Sequence, residues 1–209
     1  MANRILAVLP PRYCILPLAG AVAVHVLSYY GARKINEHRT HYCFALAVDE
    51  KIPFVPSFIL IYLLSFAFWI AGYLLASYDS PRACYQITVG NIIAEAAAFL
   101  IFILLPTTME RAQINGTGIF NDLTAWFYRI DQPDNLFPSV HCLESWICFC
   151  SALTITHAPR WYRPFSLVCA LLICASTVLV KQHVVVDIPA GILLAQFGFW
   201  LAGRLPWLK

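Results

Sequence analysis

PSFILIYLLSFAFWIAGYLLAS, residues 56–77, is an apolar segment with no charged residue and with the length that a helix needs to cross a bilayer. A helix rises about 1.5 Å per residue, so roughly 20 such residues span the hydrocarbon core. Pro53 and Pro56 stand at its start, and proline is favoured in the first turn of a helix because its missing N–H is not needed there. The segment therefore predicts a transmembrane helix.

Five further apolar segments predict an all-α, polytopic membrane protein with six transmembrane helices. Of the 209 residues, 60% are hydrophobic and 12% are charged, and the mean hydropathy is +0.70. Soluble domains carry about 25% charged residues, so the composition excludes an ordinary water-soluble domain. No connecting segment is long enough to fold separately, and we expect a single domain over residues 1–209. The predicted spans are 13–30, 56–77, 84–105, 138–156, 164–181 and 184–204.

An even number of spans puts both termini on one side of the membrane. The basic residues divide evenly between the two sides. If Arg111 and Lys181 belong to a site rather than to a loop surface, the remaining balance favours cytoplasmic termini under the positive-inside rule. The first and third connecting loops are then extracytoplasmic.

The segment Phe137-Pro138-Ser139-Val140-His141 stands at the predicted start of the fourth span. A helix that begins there offers free N–H groups and the positive end of its dipole, which is how helix N-termini bind phosphate. Ser139 can add its hydroxyl group, and His141 lies in the first turn. The alternative is an ordinary N-cap serine followed by an interfacial histidine.

The second histidine segment, Lys181-Gln182-His183-Val184-Val185-Val186-Asp187, precedes the last span. His183 and Asp187 are four residues apart, so on a helix they would share a face. A carboxylate that accepts Nδ1–H of an imidazole fixes its tautomer and leaves Nε2 as a nucleophile or base. A structural His–Asp pair at a helix entrance is the alternative.

Two basic residues are predicted on the same membrane face as the histidines. Arg111 follows Pro106-Thr107-Thr108, and its planar guanidinium suits bidentate contact with phosphate oxygens. Lys181 lies two residues before His183 and can supply a further positive charge. The ordinary alternatives are a solvated loop arginine and a lysine that extends its ammonium group to the interface.

Two glutamates are predicted within spans. Glu95 lies near the middle of the third span, where an ionisable residue is a functional candidate, although an interhelical hydrogen bond is its more ordinary role. Glu144 lies one turn after His141 and is a candidate to orient it. No cysteine or acidic spacing indicates a metal site.

Arg111, Pro138-Ser139-Val140-His141 and the segment from Ser176 through His183 to Asp187 together resemble the three-part signature of the type 2 phosphatidic acid phosphatase (PAP2) superfamily. The resemblance covers about residues 49–204, including the six-helix layout. Asp49 with Ile52-Pro53-Phe54, and Pro106-Thr107-Thr108, are also similar to the bacterial branch related to inositolphosphoryl- and sphingolipid-transferring enzymes.

The resemblance implies a role for each matching residue. His183 is the expected nucleophile, Asp187 orients it, and His141 is the general acid that protonates the leaving group. Arg111 and Ser139 are expected to hold the phosphoryl oxygens.

The sequence departs from the family pattern mainly where that pattern has residues around the phosphate. Ala112 replaces a proline, and Leu104 lies nearest the expected place of a lysine. Val140 replaces a glycine and Thr177 replaces an arginine, so two family cations are missing. Lys181 is the candidate to replace one of them.

The function predicted on these grounds is a metal-independent membrane lipid phosphatase that hydrolyses a lipid phosphomonoester or diphosphate through a phosphohistidine. No cofactor and no nucleic-acid partner is expected. We expect the protein in a bacterial cell membrane, with its active site on the extracytoplasmic side. One alternative is a lipid phosphotransferase that moves a phosphorylated headgroup to an alcohol or ceramide. Another is a non-catalytic transporter or scaffold with a degenerate site.

Overall fold

The computed structural model describes residues 10–206, in which helices are the only regular secondary structure. This confirms the predicted all-α class. A short 3-10 turn, Pro56–Phe58, leads directly into the second long helix. The α-helices of the described part are α1 (Arg12–Asn36), α2 (Ala47–Lys51), α3 (Ile59–Asp79), α4 (Pro81–Leu104), α5 (Ile119–Ile130), α6 (Val140–Thr154), α7 (Tyr162–Leu179) and α8 (Asp187–Ala202).

Six of these helices correspond to the six predicted spans, but they fall into two length classes. By length and composition, α1, the segment Pro56–Asp79, α4 and α7 are able to cross a membrane. The apolar helices α6 and α8 have 15 and 16 residues, which corresponds to about 22–24 Å of helix rather than the ~30 Å of a hydrocarbon core. The protein is therefore an integral membrane bundle in which two helices are shorter than predicted.

Both short helices begin later than predicted, because the segments before them follow a different backbone path. The predicted start at residue 138 moves to Val140, where Ser139 caps the helix by accepting a hydrogen bond from Cys142 N. The predicted start at residue 184 moves to Asp187. The segment between α7 and α8 is a turn, in which the amides of Gln182 and His183 both donate to Thr177 O.

Helix α5 was not predicted, since it lies in what the sequence suggested was a loop. The helix has a buried side and an exposed side: Thr124 and Phe127 are buried, whereas Ile119, Trp126 and Ile130 are exposed. Such an amphipathic helix is typical of a segment that lies at a membrane surface. It packs against the turn Pro56–Phe58 and the start of α3.

Helix α4 occupies the centre of the bundle and packs against α1, α3, α6 and α8. Glycines allow α8 to approach its neighbours closely. A Cβ at Gly198 would collide with Gly90 O in α4, and a Cβ at Gly191 would collide with Ser139 O at the start of α6. Together with the hydrogen bond from Ser139 N to Asp187 O (3.1 Å), this packing joins the starts of α6 and α8, the two helices that follow the histidine segments.

Candidate active site

A cavity of about 280 Å³ lies at the end of the bundle where α6 and α8 begin. His141 and His183 both line it, and their ring centroids are 6.4 Å apart. The structure thus brings together two residues that are 42 positions apart in the chain. The rest of the wall comes mainly from aromatic and acidic side chains: Tyr29, Tyr62, Phe66, Trp69, Phe127, Asp131 and Asp134.

His183 is oriented by Asp187. Its Nδ1 lies 3.1 Å from Asp187 Oδ2, which also accepts a hydrogen bond from Val184 N. Asp187 is completely buried and Oδ1 has no partner among the described residues. The pair forms across the turn before α8, because His183 precedes the helix and Asp187 begins it. The predicted contact is present, although the predicted shared helix face is not.

His141 is held among aromatic rings. The phenol of Tyr62 lies 3.2 Å from Nδ1, and the two rings stack with centroids 4.0 Å apart. Trp69 and Phe66 contact the same imidazole edge-on. Nε2 is buried and has no hydrogen-bond partner in the described part of the chain.

Arg111 reaches the histidine segment through Gln182. Its Nη2 donates to Gln182 Oε1, and Nη1 donates to Tyr128 O and Asp131 O, which come from the end of α5 and the residue after it. The guanidinium also lies over the Tyr128 ring at 4.5 Å. Burial lowers the pKa of Arg111 from its usual value, an effect opposed by Asp131. Arg111 is therefore a fixed cation that is bonded to Gln182, the residue before His183, and it does not line the cavity itself.

The fixed position of Arg111 also affects Tyr128. Burial raises the pKa of this phenol to about 12, against the opposing charge of Arg111. The neutral hydroxyl group donates to Val180 O at 2.6 Å. Tyr128 therefore connects α5 to the end of α7, immediately before the segment that carries His183.

Ser139 and Lys181 are placed differently from the histidines. Ser139 is fully buried as the N-cap of α6. This is the ordinary capping role that the sequence offered as the alternative to phosphate binding. The ammonium group of Lys181 donates a hydrogen bond to Asp49 O at 2.8 Å, and Lys181 is not among the residues that line the cavity. It adopts a left-handed backbone conformation (φ 52°) in the turn, and its side chain contacts α2.

The short helix α2 and the segment after α4 hold the histidine segments in place. Asp49 Oδ1 accepts a hydrogen bond from Val185 N at 2.7 Å, two residues after His183. Thr107 Oγ1 accepts from Leu136 N and Phe137 N, just before α6. Asp49 and Thr107 belong to segments that the sequence singled out only by family resemblance, and their structural role is to fix the backbone on both sides of the cavity.

Sequence reasoning missed an ionic network at the cavity wall. Arg33 of α1 pairs with Asp134 at 2.7 Å, and its Nη2 lies 3.8 Å from Asp131. The hydroxyl group of Tyr29 donates a hydrogen bond to Asp131. The α1 residues precede their partners by about 100 positions, so no local pattern indicates the network. The role of Gln182, which lines the cavity and bonds to Arg111, was also not predicted, although its position next to His183 could have indicated it.

A second polar group, which is partly buried, brings together ionisable side chains of α1, α4 and α6. His25 of α1 lies 2.9 Å from Glu95 of α4, and Glu144 of α6 accepts hydrogen bonds from Tyr73 and Asn91. Glu95 thus forms an interhelical bond, whereas Glu144 does not orient His141. Among the described residues, the ligand atoms of His25, Glu95 and Glu144 lie within 4.8 Å of one another, a set that is able to hold a metal ion. Spacing along the chain does not reveal this group because each residue comes from a different helix.

The geometry around the two histidines is suited to transfer of a phosphoryl group. A carboxylate-oriented imidazole provides a nucleophile, and a second imidazole with a free nitrogen lies across the cavity to exchange a proton. A family model described as PAP2 superfamily matches residues 40–201, close to the range that the sequence predicted. The match does not distinguish the branches of that superfamily. No curated protein and no solved structure matches the chain.

Proposed function

Since this chain belongs to the PAP2 superfamily, whose members are phosphatase-type enzymes that act on lipids, we propose that it hydrolyses a lipid phosphomonoester or diphosphate. The observation that carries this proposal is the placement of His183, with Asp187 behind it, across one cavity from His141. A degenerate, non-catalytic site would not need the carboxylate and the two imidazoles to converge.

In the first step, Nε2 of His183 attacks the phosphorus in line with the leaving oxygen. Asp187 accepts Nδ1–H and stabilises the positive charge that develops on the ring. His141 donates a proton from Nε2 to the departing oxygen, and the bound phosphate favours the charged form of this imidazole. The products are the lipid alcohol, or a lipid phosphate, and a phosphohistidine.

In the second step, water attacks the phosphohistidine. His141, now neutral, accepts a proton from the water, and the P–N bond breaks to release inorganic phosphate and neutral His183. Neither step requires a metal or a cofactor.

The phosphoryl oxygens need positive partners, and Arg111 is the cation that matches the family pattern. It donates a hydrogen bond to Gln182, which lines the cavity together with His183. We assign it to stabilising charge on the equatorial oxygens. The N–H groups at the start of α6, where Val140 lines the cavity, complete the proposed phosphate contacts. Ser139 contributes as the buried cap of that helix, and Lys181 has no part in this scheme.

The active site is proposed to face the extracytoplasmic side of a bacterial cell membrane. The support is the distribution of Lys and Arg once Arg111 is counted with the site. Lipid phosphates then reach the cavity from the outer leaflet.

A substrate panel with purified protein tests the proposal. We expect release of inorganic phosphate from a lipid phosphomonoester or diphosphate, inhibition by vanadate, and loss of release in His183→Ala and His141→Ala. His157→Ala is the matched control, because His157 is exposed and pairs with Asp79. Phosphate release that survives His183→Ala would overturn the proposed function.

A further inference from the structure

Three ionisable side chains from three different helices meet inside the bundle. His25 comes from α1, Glu95 from α4 and Glu144 from α6, and one ligand atom of each lies within 4.8 Å of the other two. We call these residues the three-helix cluster. Glu95 stands near the middle of a helix long enough to cross a membrane, so the cluster lies at the depth of the hydrocarbon core.

The three-helix cluster holds two acidic groups and one weak base. Glu95 is completely buried and Glu144 is 5% exposed. Among the described residues, His25 is the only basic side chain that forms an ion pair with either carboxylate. Carboxylates without balancing charge are costly at this depth, and ionisable residues there are usually functional. One divalent cation would neutralise both carboxylates while the imidazole of His25 stays neutral.

One oxygen atom of the cluster lacks a partner. Glu95 Oε1 lies 2.9 Å from His25 Nδ1, whereas Oε2 of the same carboxylate is buried and has no hydrogen-bond partner among the described residues. Buried polar atoms are nearly always hydrogen-bonded, so this oxygen indicates a missing partner. The carboxylate of Glu144 is oriented by Tyr73 and Asn91, which donate to its two oxygens. Each of these oxygens keeps a further lone pair for an ion.

The spacing within the cluster suits a single small ion. Imidazole nitrogen and carboxylate oxygen bind such ions at about 2.0–2.2 Å, so two ligand atoms of one ion lie roughly 3–4 Å apart. The contact between His25 and Glu95 is already this short, and small side-chain rotations would close the remaining distances. His25 also lines the catalytic cavity, which gives an ion a route to the cluster from the end of the bundle.

We propose that His25, Glu95 and Glu144 bind one divalent transition-metal ion. Carboxylate ligands suit Mn²⁺, and imidazole adds the nitrogen ligand that transition ions accept. The ion takes no part in either step of the proposed reaction. It fixes α1, which places Tyr29 and Arg33 at the cavity wall, against α4 and α6. Helix α1 precedes the residues matched by the family model, so the histidine ligand lies outside the matched segment.

Titration of the purified, chelator-treated protein with Mn²⁺ tests the proposal, with electron paramagnetic resonance measuring the unbound ion. Mn²⁺ is the probe because the eight cysteines compete less for it than for Zn²⁺. We expect one bound equivalent per chain, and at least about tenfold weaker binding in Glu95→Gln and in Glu144→Gln. Glu37→Gln is the matched control, because Glu37 is exposed and pairs with Lys34. Absence of a bound equivalent in the unaltered protein would overturn the proposal, as would unchanged affinity in both cluster variants.

Thermal unfolding in detergent distinguishes a bound ion from a proton shared by the two carboxylates. We expect Mn²⁺ to raise the Tm of the unaltered protein and of Glu37→Gln above its value in chelator, and to leave the Tm of Glu95→Gln unchanged. Glutamine has the shape of a neutral carboxyl group, so this variant keeps the packing of the cluster. A Tm of the unaltered protein that does not respond to Mn²⁺ would mean that a proton alone occupies the cluster, and would overturn the proposal. Neither measurement uses a substrate, so the outcome does not depend on the proposed function.

Discussion

Asp187 acts on the proposed reaction only through His183, so its replacement separates orientation from binding. Asp187→Asn keeps the shape of the side chain but removes the charge that stabilises the imidazolium and fixes its tautomer. We expect kcat to fall roughly 10⁴-fold with a smaller change in KM, as for other carboxylate–histidine pairs. Steady-state kinetics on the best substrate of the panel measures both. A kcat close to that of the unaltered protein would mean that the pair has only a structural role.

At the residue scale, the sequence predicted which histidines meet but not what surrounds them. His183 and Asp187 are close in the chain, so a local rule found their contact. The spacing of His25 and Glu95, or of Arg33 and Asp134, carries no signal, because helix packing brings each pair together. Lys181 is adjacent to the site in sequence, but its ammonium group donates a hydrogen bond to Asp49 O.

At the scale of elements, the contact between α6 and α8 determines whether the two histidines share a cavity. Gly191→Ala would place a methyl group against Ser139 O and near Cys142 Cβ. We expect it to lower the free energy of unfolding by about 1–3 kcal/mol through overpacking and to reduce phosphate release, since the start of α6 must move. Thermal unfolding in detergent and the phosphate assay measure the two effects.

Gly20→Ala is the control for that substitution. Its added Cβ would meet only Ile92 Cδ1 at 3.9 Å, an ordinary contact. We expect no loss of stability there, because alanine is the better helix former. Equal behaviour of the two alanine variants would refute the role given to the α6–α8 contact.

The short helix α2 fixes the His183 turn through one side chain. Asp49→Ala removes the acceptor of Val185 N and of Leu46 N. We expect a loss of about 1–3 kcal/mol in unfolding free energy and a fall in kcat, because His183 loses its fixed position. The neighbouring Glu50→Ala, which alters an exposed residue of the same helix, is expected to change neither. If both variants lose activity alike, the short helix acts as a whole and the Asp49 contact is not specific.

The long helices were predictable because an apolar run of about 20 residues has few other stable states in a membrane protein. The starts of α6 and α8, next to the site, were not predictable in the same way. Ser139 and Asp187 determine these starts by capping and hydrogen bonding rather than by a change in hydropathy. Helix α5 was missed because its polar residues resemble a loop when they are not read at helical spacing. Its buried residue Phe127 lines the cavity, so this omission concerned the site as well as the fold.

At the scale of the whole molecule, labelling of one exposed cysteine tests the proposed membrane orientation. Cys43 is exposed in the loop between α1 and α2, whereas six of the other seven cysteines are buried and Cys169 is partly buried. We expect a membrane-impermeant maleimide to label Cys43 from outside intact cells, because that loop lies at the end of the bundle that carries the active site. The Cys43→Ser variant is the control in which this labelling should be absent. Labelling that appears only in inverted vesicles would reverse the orientation.

The proposed mechanism depends on a covalent phosphohistidine at His183. The most direct measurement is rapid quenching of the protein with a labelled lipid phosphate, followed by mapping of the phosphorylated residue by mass spectrometry under conditions that preserve phosphohistidine. We predict an acid-labile, alkali-stable phosphoryl group on His183, absent in His183→Ala and present in His157→Ala. A phosphoryl group on another residue, or turnover of substrate by His183→Ala, would contradict the account.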